Sequence, residues 1–142
     1  MAVRALVIDA NILIRATLGT RSRNIIKTYS NSVALCVPEP AWRDAEKHLM
    51  LLAAKRQGDP EKLVRLLRSM ADLVYVTAED TYIDFALEAQ RRLAKRDPDD
   101  WPILACALAL DCPIWTEDAD FFGCGVATWT SDRVVTYLSA SR

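Results

Sequence analysis

The residues of this sequence that can do chemistry are carboxylates placed just after short apolar runs. Asp9 interrupts Ala-Leu-Val-Ile-Asp-Ala-Asn-Ile-Leu-Ile, residues 5–14, where an ionised group buried alone would be costly. Glu39 and Asp44 follow a second apolar run, Asp118 and Asp120 a later one, and Asp97, Asp99 and Asp100 gather at the start of an apolar helix. Carboxylates brought within a few ångströms of one another cannot all stay ionised without a cation. A hard divalent ion resolves this: Mg²⁺ takes one or two carboxylates directly, keeps several waters and leaves positions for phosphate oxygens, and Mn²⁺ obeys the same ligand logic.

Other chemistries find no support in the residues. There is one histidine, and Cys36, Cys106, Cys112 and Cys124 form no CxxC pair, so zinc-site spacing is absent and reduced core thiols are expected. No Ser-His-Asp or Cys-His arrangement, GxxxxGK[ST] or GxGxxG is present. A haloacid-type phosphatase would place a second Asp two residues after Asp9, where Asn11 stands.

Positioning these acids requires elements that alternate. Strands are predicted over residues 3–8, 33–37, 73–76, 114–116 and 126–128. Between and after them, helices are predicted over 11–18, 21–30, 38–57, 60–70, 77–96, 103–110 and 131–138, with Thr77 as the N-cap of the long 77–96 helix. Such alternation gives an α/β domain with a parallel sheet, and in such sheets ligands gather at the carboxyl ends of the strands. Acids far apart in sequence therefore converge there. With 142 residues, one domain spanning 1–142 is expected, and the net charge of −1 excludes a generally basic coat. No signal segment opens the chain, and its longest apolar run, 103–110, falls short of the roughly 20 residues of a membrane span. The expectation is a cytoplasmic protein with no membrane partner.

Taken together, Asp9-Ala-Asn-Ile-Leu13, an acid in the helix after strand two, Asp100-Trp-Pro-Ile-Leu-Ala-Cys-Ala107 and Trp115-Thr-Glu-Asp-Ala-Asp-Phe121 resemble the motifs of PIN-domain ribonucleases. That family includes the VapC-type toxins of bacterial toxin–antitoxin pairs. The resemblance implies a three-layer α/β/α sandwich with about five parallel strands in the order 3-2-1-4-5. It assigns metal-binding acids to Asp9, Asp100 and Asp118, with Asp120 as a further one, and orienting roles to Asn11 and Thr116. The second family acid, usually Glu, falls on Asp44, one methylene shorter, with Glu39 and Glu46 nearby. Glu46 lies about 200° round the helix from Asp44, so the two do not face one site.

The implied activity is hydrolysis of RNA phosphodiesters by a water activated by Mg²⁺ or Mn²⁺, leaving 5′-phosphate and 3′-hydroxyl ends. Asp44 or Asp118 is the proton acceptor. Arg15, Arg21, Arg23 and Lys27 flank the first acidic turn and are the expected phosphate contacts. An antitoxin and a homodimer partner are also implied. The alternative is a catalytically weak PIN-like module that binds RNA or protein.

Overall fold

The computed structural model describes residues 4–140. Five strands, β1 (Ala5–Ile8), β2 (Ala34–Pro38), β3 (Tyr75–Thr77), β4 (Ile114–Trp115) and β5 (Thr128–Trp129), form an all-parallel sheet in the order β3-β2-β1-β4-β5, flanked by helices. The α/β class and strand order expected from the sequence are thus observed. β1 runs down the middle, and Leu6, Val7 and Ile8 are fully buried, which explains why its residues are apolar on both faces. Val3, expected at the start of this strand, lies outside the described residues.

The helices are α1 (Ala10–Leu18), α2 (Arg21–Tyr29), α3 (Glu39–Lys55), α4 (Pro60–Arg68), α5 (Ala86–Arg92), α6 (Trp101–Leu110) and α7 (Val134–Leu138). α3 buries Ala41, Ala45, Leu49 and Ala53 at four-residue spacing, a stripe of mostly small side chains that allows close packing. α6 is apolar on every side, and Pro102 to Ala107 are all buried. It ends on Asp111, which adopts a left-handed conformation with φ of 50°. Among the described residues no helix is long and apolar enough to cross a membrane. All four cysteines are free and buried.

The expected helix over 77–96 is corrected. Thr77 caps no helix: it ends β3, and its hydroxyl donates to the carbonyl of Tyr75 at 3.2 Å. The chain then makes two 3-10 turns, Glu79–Thr81 and Ile83–Phe85, before α5 begins. Thr81, Tyr82, Ile83 and Phe85 are β-branched or aromatic and lose side-chain freedom in a helix. Tyr82 is fully buried, its ring 5.9 Å from that of Trp101, so tertiary packing sets the path of this segment. β5 starts two residues later than expected because Gly123 and Gly125, with φ of 85° and 92°, extend the preceding turn.

Candidate functional site

Asp9 follows the last residue of β1 and is pinned there by its own N–H, which donates to the carbonyl of Trp115 at 3.1 Å. Its carboxylate caps α1. Oδ1 accepts the N–H of Ala10 at 2.8 Å, and Oδ2 accepts Asn11 Nδ2 at 3.1 Å and the Thr116 hydroxyl at 2.7 Å. Burial pushes the pKa of Asp9 up, the bonds from Thr116 and Ala10 pull against that, and the nearby charges of Asp118 and Asp44 add to the rise.

Thr116, fully buried, also accepts the N–H of Asp118 at 2.9 Å, so one hydroxyl joins the turn after β1 to the loop after β4. Thr116→Val keeps the shape and removes both bonds. The expected cost is about 1–3 kcal/mol of stability, because a buried carboxylate oxygen and a loop N–H lose their shared partner; denaturant midpoints of the two proteins check it.

Asp9, Asp44 and Asp100 come from three distant parts of the chain and line one cleft of about 40 Å³, together with Asp99, Ala10, Pro40, Ala41, Pro102 and Ile103. No lysine or arginine lines it. Asp100 sits where the 3-10 turn Pro98–Asp100 runs into α6. Burial first, then the charges of Asp9, Asp97 and Asp118, push its pKa up to about 7. The space suits an ion or water-sized groups and is too small for a nucleotide.

Asp118 is outside this lining but acts electrostatically on both Asp9 and Asp100. Its Oδ1 accepts the N–H of Asp120 at 2.9 Å, and the structure does not bring the Asp120 side chain into the cleft lining. Glu39 pairs instead with Arg43 at 3.6 Å, and Glu46 accepts Trp42 Nε1 and lies 3.5 Å from Arg68. Among the described residues, no three Asp, Glu, His or Cys side chains are grouped closely enough to hold a metal by themselves.

The basic residues divide. Arg21 is engaged by Asp132 at 3.0 Å and by the carbonyl of Ser131 at 3.2 Å, whereas Arg15 and Lys27 are exposed and Arg23 is half-buried. The basic end of α5 is structural: Arg91 and Arg92 hold the Glu88 carboxyl down at about 2, while Arg92 and Arg96 each donate at 3.1 Å to carbonyls of the segment after β4, Cys124 and Ala119. Asp99, grouped by the sequence with Asp97 and Asp100 at the helix start but outside the assigned metal-binding set, also lines the cleft. Glu117 and Ser131, to which the sequence assigns no role, bond to each other. Nothing in the local sequence marks that pair, since it joins segments 14 residues apart.

A family model describing the PIN domain matches residues 7–139. No curated protein sequence matches the chain. Among solved structures, the fold is similar to that of VapBC2 from Rickettsia felis bound to a DNA fragment from their promoter, with a TM-score of 0.70, 10% identity and coverage of 89% of this chain and 98% of that one. PAE2754 from Pyrobaculum aerophilum gives a TM-score of 0.70 at 16% identity, over 98% and 92% of the two chains. A toxin–antitoxin complex from Klebsiella pneumoniae gives 0.64 at 18%, over 89% and 97%. At these identities the structural likeness is one of fold. The family match itself spans nearly the whole sequence, and the chain belongs to the PIN-domain family, whose members are generally nucleases.

Proposed function

We propose that this protein is a metal-dependent endoribonuclease, with Asp9, Asp44, Asp100 and Asp118 as its acids and Mg²⁺ or Mn²⁺ as its ion. The observation that carries the reading is the cleft where Asp9, Asp44 and Asp100 meet with no basic side chain among them and where Asp100 resists ionisation up to about 7. The donor set fits a hard cation that takes one or two carboxylates directly and keeps its waters, since the acids share one cleft but, among the described residues, no three are close enough to hold an ion by themselves. When bound, such an ion polarises the phosphate and lowers the pKa of water.

The chain's own contributions follow from its geometry. Asp9, fixed by three donors, presents a carboxylate that cannot rotate away. Asn11 and Thr116 set its orientation, and Thr116 keeps the Asp118 loop in step with it. Asp44, exposed on the cleft rim, takes the proton from the attacking water. Arg15, Arg23 and Lys27 contact RNA phosphates, with Arg21 contributing from its place beside Asp132. Asp120 serves as an outer acid, its charge adding to the pull on a cation.

The neighbours described as VapBC2 and as a toxin–antitoxin complex support a role as a toxin restrained by a protein antitoxin. A homodimer in the cytoplasm completes the proposal. Single-stranded RNA incubated with the protein and Mn²⁺ should be cut to fragments bearing 5′-phosphates, while RNA bound but left intact would favour the non-catalytic module.

A further inference from the structure

We infer that Glu117 is a positioning residue which, through Ser131, holds the Asp118 loop in register with Asp9 and ties it to α2. The inference rests on the nuclease reading of Asp118 given above. Glu117 stands between Thr116 and Asp118, yet its carboxylate is directed elsewhere: Oε2 accepts the main-chain N–H of Ser131 at 2.6 Å. Its own N–H donates to Asn11 Oδ1 at 3.5 Å, and Asn11 in turn donates to Asp9. Main chain and side chain of one residue thus face two different fixtures.

Ser131 is 8% exposed, and all three of its polar groups are engaged. Besides the bond to Glu117, its hydroxyl accepts Trp115 Nε1 at 3.1 Å and its carbonyl accepts Arg21 at 3.2 Å. Trp115 is itself fully buried in β4, so this hub is anchored in the core. Two residues beyond Glu117, Arg96 holds the carbonyl of Ala119 at 3.1 Å. Asp118 therefore lies between two clamps, and the one at Glu117 is a charge-assisted bond, stronger than a neutral one. Partners that orient metal-facing groups typically matter by about 10–100-fold in affinity or rate.

The test compares the full wild-type chain with Glu117→Ala and with Glu117→Gln, which keeps an acceptor for Ser131 but loses the charge. Three quantities are read: amide hydrogen exchange at Asp118 and Asp120, Mn²⁺ affinity by electron paramagnetic resonance, and kcat and KM on RNA. In Glu117→Ala, exchange at both amides should rise about tenfold relative to those of β1, with Mn²⁺ affinity and kcat falling by a similar factor and KM moving less than about twofold. Glu117→Gln should restore most of each. Arg21→Ala, at a side chain 65% exposed, removes the outer anchor of Ser131 without disturbing the core and should loosen the same amides in the same direction.

Unchanged exchange at Asp118 and Asp120 in both Glu117→Ala and Arg21→Ala would overturn the inference, as would a Gln variant as impaired as Ala. Loosened amides in a protein whose wild type neither binds Mn²⁺ nor cuts RNA would uphold the clamp and retire the nuclease reading.

Discussion

Asp100→Asn is expected to make the metal-free protein more stable above neutral pH while lowering RNA cleavage by at least about a hundredfold, the upper range for losing even an outer partner of a metal site. The stability half follows from linkage. The Asp100 carboxyl titrates near 7 in the folded protein against 3.8 for a free one, so across that interval the native state holds the extra proton. Wherever the native state binds more protons, stability falls as pH rises. The wild type should therefore lose stability from about pH 4 to about pH 7 and level off above, as Asp100 ionises beside Asp9, Asp97 and Asp118. Asp9, also raised, acts in the same direction. An amide at position 100 has nothing to ionise. Melting temperatures at about pH 5.5 and about pH 8 should differ clearly in the wild type and much less in the variant. Added Mg²⁺ should raise the wild-type value most at the higher pH, where the carboxylates are charged. A side chain that costs stability and supports activity is a signature of a functional site.

The second large effect separates Asp44 from Glu39. Asp44→Asn should lower kcat by about 10²–10⁴, the usual contribution of a general base, with KM for RNA little changed. Glu39→Gln should leave the rate within about twofold, because it breaks only an exposed pair with Arg43 of the kind that is worth about 0.5 kcal/mol or less. Equal losses in the two variants would mean that both acids serve the site despite Glu39 lying outside the cleft lining. Single-turnover rates for the two proteins decide between these.

Which parts of this molecule could be read in advance depends on the range of the interactions that set them. β1 and the Asp9 that follows it are legible because an apolar run broken by one acid has few places in a parallel sheet other than the carboxyl edge. Helical phase placed Asp44 and Glu46 on different sides of α3, and the structure turns Glu46 toward Trp42 and Arg68. The segment from Thr77 to Phe85 carries a pattern that suits a helix, yet the burial of Tyr82 against Trp101 winds it into 3-10 turns. The sequence marks Arg21 only as an expected phosphate contact. Its partners lie 110 and 111 residues away in the loop after β5, a pairing no local pattern announces. The same holds for Glu117, whose neighbours in sequence are both site residues and whose own carboxylate is spent on Ser131.

The central claim, that the acidic cleft is the catalytic centre of a metal-dependent ribonuclease, is tested most directly by cleavage of end-labelled single-stranded RNA. The wild type and Asp100→Ala are compared in Mn²⁺, in Mg²⁺ and in chelator. Cutting by the wild type with metal, leaving 5′-phosphate ends, and no cutting in chelator or in the variant are expected. Cutting that persists in chelator or in Asp100→Ala, or a folded wild type that cuts no RNA with either ion, would contradict the claim.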